Sequence, residues 1–149
     1  MEIVNYIKKD KSSAYKIFVG TDSAAKKHTQ FITAITALKV GNGGRYFWTK
    51  SELTFCPTLQ DRIYKETMKS ITMAQELRSL LREFIGDDFF WDEKVIVHID
   101  VGYNGPTRSL IDAVVGMVKG YGLEAAIKPE AFCSFVVADR HSHSVLLKI

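Results

Sequence analysis

The segment QFITAITALKV, residues 30–40, is apolar at both its odd and its even positions. A strand with one wet face alternates apolar and polar residues, so this pattern predicts a central strand covered on both sides. The flanking residues extend the reading. YKIFVGTDS (15–23), β-branched and aromatic, predicts a first strand before it. GNGG (41–44) can supply the positive φ angles of a tight hairpin, and RYFWTKSEL (45–53) predicts the returning antiparallel strand.

The longest helical pattern follows. Pro57 stands at its mouth, Thr58 is a candidate N-cap, and Leu59, Ile63, Ile71, Ala74, Leu77, Leu81 and Phe84 recur in steps of three and four, ending near Gly86. KVIVHID (94–100) is too short for a helix and rich in branched residues, which predicts a fourth strand. GPTRSLIDAVVGMVKGYG (105–122) predicts a helix with Pro106 in its first turn. LEAAIKP (123–129) predicts a fifth strand and EAFCSFVVADRHSH (130–143) a last helix. The order β-β-β-α-β-α-β-α implies an α/β fold: a five-stranded mixed sheet whose later strands are parallel, with helices on both faces. No repeat or linker divides the chain, so residues 1–149 are expected to form one domain.

Composition narrows the function classes. With 149 residues, 46% hydrophobic and 25% charged, the chain has the make-up of a globular domain. No apolar run approaches the roughly 18 residues that span a bilayer, and MEIVNYIKKDKSS lacks the pattern of a signal peptide, so a soluble, cytoplasmic protein with no membrane partner is expected. Cys56 and Cys133 have no paired spacing, which argues against a disulfide framework or a cysteine zinc site and for two buried apolar groups. The net charge of +3 permits an acidic partner without requiring one.

Four acids occupy positions where a structural role is least convincing. Asp22 ends strand one and Asp100 ends strand four, at the strand ends where open α/β sheets collect ligands. If those strands are parallel neighbours, the two carboxylates lie side by side and repel. Glu66 falls on the core-facing stripe of the long helix, near Leu59, Ile63 and Leu77. Its alternative is an exposed ion pair with Arg62 one turn earlier. Asp139 follows an apolar run near the end of the chain, and its alternative is a pairing with Arg140 or a local cap. Four carboxylates at one point make chemical sense as ligands of Mg²⁺ or Mn²⁺, which favour oxygen donors. Two such ions about 4 Å apart can activate a water on one side of a phosphodiester and stabilise the leaving oxygen on the other.

Both the element order and the placement of the acids resemble the ribonuclease H-like superfamily, whose members bind two Mg²⁺ or Mn²⁺ ions through carboxylates and cut or join nucleic acid. More narrowly, VGTDS (19–23), HIDVGYNGPT (98–107), GMVKGYG (116–122), IKPEAF (127–132) and VADRHSH (137–143) are similar to motifs of the bacterial YkuK-type family of predicted ribonuclease H-like nucleases. The resemblance implies a nuclease acting on RNA, DNA or a hybrid, with Asp22, Glu66, Asp100 and Asp139 as metal ligands and catalytic carboxylates. The alternative is a non-catalytic module that binds nucleic acid or protein on the same scaffold.

Other features carry two readings each. His143 or His141, close to Asp139, could pass a proton to a leaving group, or be surface residues. His98, two residues before Asp100, suits a hydrogen-bonded structural role better than metal ligation. Gly102, Gly105 and Arg108 could receive a phosphate, though a strand-to-helix turn needs the same glycines. Lysines in KKDK (8–11) and AAKKH (24–28) could contact a phosphate backbone or simply be solvated.

Overall fold

The computed structural model describes residues 2–39, 41, 43–86 and 95–128. In chain order these form helix α1 (Glu2–Lys8), strands β1 (Tyr15–Ser23), β2 (His28–Thr29), β3 (Phe31–Lys39), β4 (Gly44–Lys50) and β5 (Thr54–Phe55), and helix α2 (Leu59–Phe84). Strand β6 (Val95–Ile99), a 3₁₀ turn (Arg108–Leu110), helix α3 (Ile111–Gly120) and strand β7 (Glu124–Ile127) follow. The five long strands make one mixed sheet in the order β4-β3-β1-β6-β7, while β2 and β5 pair as a separate ribbon. β3 runs antiparallel to both β1 and β4, and β6 runs parallel to both β1 and β7.

Side chains alternate across a strand, so the core can be assigned to a face by parity. Tyr15, Ile17 and Val19 of β1, Ile35 and Ala37 of β3, Phe47 of β4, and Val95, Val97 and Ile99 of β6 all belong to one buried cluster. The same cluster holds Ile3 and Ile7 of α1, Leu77 and Leu81 of α2, and Val114 and Val118 of α3. The three described helices therefore share one face of the sheet. On the other face Ile32, Ala34 and Trp48 form a second buried cluster, which is why β3 is apolar at every position from Phe31 to Ala37 apart from its threonines. The expected last helix, with Cys133, Asp139, His141 and His143, lies outside the described residues.

Local chemistry explains the boundaries. Gly41 and Gly43 adopt φ of 79° and 78°, and the Lys39 N–H reaches the Gly43 carbonyl at 2.8 Å, closing the hairpin that GNGG predicts. Thr58, in extended backbone, accepts the Asp61 N–H at 3.0 Å and caps α2. At the far end Gly86 turns to φ 116° and stops the helix.

Three details depart from the sequence reading. No element is predicted at the N-terminus, yet α1 forms, because Ile3, Val4 and Ile7 fit the core. Seven residues are too few for periodicity to declare itself, and such a helix is held by packing. The third strand leaves the sheet at Lys50 instead of running to Leu53, since residues 54–55 turn to pair with β2. Pro106 sits in a turn ahead of the helix: Gly105 adopts φ 98°, the Gly102 N–H is taken by Thr107 Oγ1 at 3.2 Å, and α-helix begins only at Ile111.

Leu77 is fully buried in the shared cluster. Leu77→Ala is expected to cost about 2–5 kcal/mol, read as a lower denaturant midpoint in urea unfolding with the slope unchanged.

Candidate metal centre

The parallel pairing of β1 with β6 runs Ile17↔Val95 to Gly20↔His98. Continued two residues further, the same register sets Asp22 level with Asp100. Both strands present their carboxyl ends at one edge of the sheet, where α2 packs against β1 and β6.

A buried hydroxyl network holds the helix there. Thr21 Oγ1 lies 3.0 Å from Thr33 Oγ1 and 2.7 Å from Ser70 Oγ, linking β3, β1 and α2 in one chain of hydrogen bonds. Ser23 Oγ donates to Glu66 Oε2 at 2.7 Å. Glu66 is 5% exposed, so it occupies the core-facing stripe and not the solvated face that an Arg62 ion pair would require. One carboxylate oxygen from each of Asp22, Glu66 and Asp100 lies within 4.8 Å of the other two.

Like charges at that separation repel by roughly 3 kcal/mol per pair at the effective dielectric of a protein site. Burial pushes the Glu66 carboxyl up to about 8, and the charges of Asp22 and Asp100 add to that, against the Ser23 hydrogen bond and the Arg62 guanidinium. Its second oxygen, Oε1, is buried and has no hydrogen-bond partner among the described residues. A buried carboxylate oxygen left bare is destabilising unless a proton or a cation meets it. The donor set, three carboxylates with no sulfur or imidazole among them, fits a hard divalent cation.

One positive charge already stands at the edge of the cluster. Lys128, just past β7, forms an ion pair through Nζ with Asp100 Oδ1. Gly102 makes room for it: a Cβ there would come within 3.3 Å of Lys128 Cβ. His98 lies 4% exposed in the same recess as Thr21, Glu66 and Asp100, its ring 4.6 Å from that of Phe18. Burial pushes its imidazole down to about 4, so it is neutral at physiological pH. Lys26, Lys27 and Arg108 are exposed, and Cys56 is buried.

The Ribonuclease H-like family model matches residues 1–143. The chain is also 32% identical over 146 residues to the uncharacterized protein YkuK of Bacillus subtilis (strain 168), covering 91% of this chain and 83% of that one. This chain belongs to the YkuK-type ribonuclease H-like family. Among solved structures, the RuvC structure of Thermus thermophilus matches 87% of this ribonuclease H-like chain and 72% of its own, at 12% identity and a TM-score of 0.33.

Of the four acids singled out in the sequence of this YkuK-type protein, the structure brings three together. Asp139, like His141 and His143, lies outside the described residues. Sequence reasoning missed Ser23 and Lys128. Ser23 directly follows Asp22, with odd parity that aims it at the helix, which is a usable signal. Nothing local marks Lys128, because its place beside Asp100 depends on β6 and β7 being parallel neighbours.

In the metal-free protein Glu66 keeps its proton at a pH where the unfolded chain has lost it. Stability is therefore expected to fall as pH rises from near 4.5 to about 8, and to change little through this group above that. Thermal melts across the window should show the slope in the wild type, its loss in Glu66→Gln, and its reduction by saturating Mg²⁺ or Mn²⁺.

Proposed function

We propose that this chain is a metal-dependent nuclease that hydrolyses nucleic acid phosphodiesters, with Mg²⁺ or Mn²⁺ held by Asp22, Glu66 and Asp100. The observation that carries the reading is the convergence of three carboxylates on one point, the most buried of them with an oxygen left bare. The family supports it, and Asp139 completes a second ion's site in this proposal. When bound, two ions would polarise the phosphoryl group, generate the attacking hydroxide and stabilise the leaving oxygen.

The chain's own residues have separate tasks. Asp22 and Asp100 approach from neighbouring strand ends, so the backbone hydrogen bonds of the sheet hold their spacing. Ser23 orients Glu66 by donating to Oε2, while Oε1 has no hydrogen-bond partner among the described residues. Lys128 offsets part of the negative charge and places an ammonium where a substrate phosphate would arrive. His143 or His141 is the proposed proton donor to the leaving oxygen. His98 is unsuited to that task, being buried and neutral.

Labelled RNA, DNA, hybrid and branched substrates, each with Mg²⁺ and with Mn²⁺, test the reading. Asp22→Asn and Asp100→Asn should each lower cleavage by at least ~100-fold while the melting transition remains, since loss of even an outer partner of a metal ligand typically costs ~10–100-fold. Undiminished cleavage in both variants would overturn it. Absence of cleavage on every substrate would leave the non-catalytic binding module.

Ser23→Ala makes a finer test of the same centre. It should weaken Mn²⁺ binding by ~10–100-fold, measured by calorimetry, because Glu66 loses the hydroxyl that orients it.

A further inference from the structure

The ribbon of β2 and β5 stands apart from both core clusters. His28 pairs with Phe55 and Thr29 with Thr54. Leu53 is 69% and Phe55 49% exposed, and His28 is exposed beside them. The rings of His28 and Phe55 stack, with centroids 5.2 Å apart and planes 28° from parallel. Exposed Lys26 and Lys27 precede His28, and Glu52 is the exposed acid nearest in sequence on the β5 side.

The ribbon is tied to the elements that carry the acid cluster. Lys65, the residue before Glu66, donates from Nζ to the Phe55 carbonyl at 2.6 Å. On the other side His28 follows Asp22 by six positions, a span of at most ~22 Å. A phenyl ring held open to water, stacked on an imidazole and beside lysines, has the chemistry of a base-stacking platform: every base offers a π face, and the lysines meet the phosphates.

We propose that the β2–β5 ribbon docks unpaired nucleotides of the strand that lies at the acid cluster, with Phe55, backed by His28, stacking on a base and Lys26 and Lys27 contacting the backbone. This rests on the nucleic-acid reading above and narrows its substrate class to strands with single-stranded segments. A duplex offers no such base along its length, since both faces of each interior pair are covered by neighbours in the stack and only the two end pairs leave a face open.

The test is fluorescence anisotropy in metal-free buffer, with end-labelled oligouridylate, oligodeoxythymidylate and a blunt DNA duplex as probes. Phe55→Ala should weaken binding of one or both homopolymers by ~5–100-fold and leave the duplex unchanged, and Phe55→Trp should retain wild-type affinity. A response of one homopolymer alone tells RNA from DNA, and a response of both marks a platform that accepts either. The double variant Lys26→Ala with Lys27→Ala should flatten the salt dependence by about 1.4 in the logarithmic slope, at ~0.7 per single-strand phosphate contact. Urea midpoints equal to wild type establish that the variants fold. Wild-type homopolymer binding by folded Phe55→Ala, or an equal loss on the duplex, overturns the proposal. Cleavage assays separate the two readings: Phe55-dependent binding without any cleavage sinks the nuclease and keeps the ribbon, whereas Asp22-dependent cleavage of single strands that is indifferent to Phe55 does the reverse.

Discussion

Three carboxyl groups with an oxygen of each within 4.8 Å of the others would repel if all were ionised, and the fold is arranged around keeping them there. Glu66 bears most of the cost, because it is buried as well as crowded. One of its oxygens accepts the Ser23 hydroxyl; the other is buried with no hydrogen-bond partner among the described residues, and burial favours the protonated acid. Such an arrangement persists only where the surrounding packing outweighs it. The apolar cluster joining α1, α2 and α3 to the sheet is what supplies that margin.

β1 connects packing to chemistry. Its odd residues enter the core from Tyr15 to Val19, then change from apolar to hydroxylic at Thr21 and Ser23 as the strand nears the acids. Helix α2 makes a similar change along its buried stripe, from Leu81, Leu77, Ala74 and Ile71 to Ser70, Thr67 and Glu66, before Ile63 returns it to the core. Hydroxyls that satisfy each other, as Thr33, Thr21 and Ser70 do, can be buried at little cost while fixing the helix against the sheet. The polar end of an otherwise apolar interface is thus a continuation of the core's own geometry.

Elements long enough to show a period are legible in the amino-acid sequence. The doubly covered β3, the glycine hairpin, the Thr58 cap and the placing of Glu66 on the buried stripe all follow from spacing and turn chemistry, and the fold has each of them. Short elements are not legible. α1 spans two turns at most, and β2 and β5 have two residues each, so neither a 3.6-residue nor a 2-residue repeat can emerge from them. Sequence pattern starts the helix after Pro106 too early because proline suits both a first turn and the turn before it, and only the bond from Gly102 to Thr107 distinguishes them.

By itself the sequence determined what each longer segment could become: which long runs were strands, which face of α2 was apolar, and that acids stood where apolar or capping residues would be expected. That information is local, carried by residues a few positions apart. Tertiary structure decided which acids meet, that Lys128 faces Asp100, that Ser23 rather than Arg62 holds Glu66 by a hydrogen bond, and that an aromatic ribbon is tethered to the same helix. Those outcomes depend on strand order and register between segments tens of residues apart. A single residue's slip in the pairing of β1 with β6 would turn Asp22 and Asp100 to opposite faces, and no local pattern encodes that register.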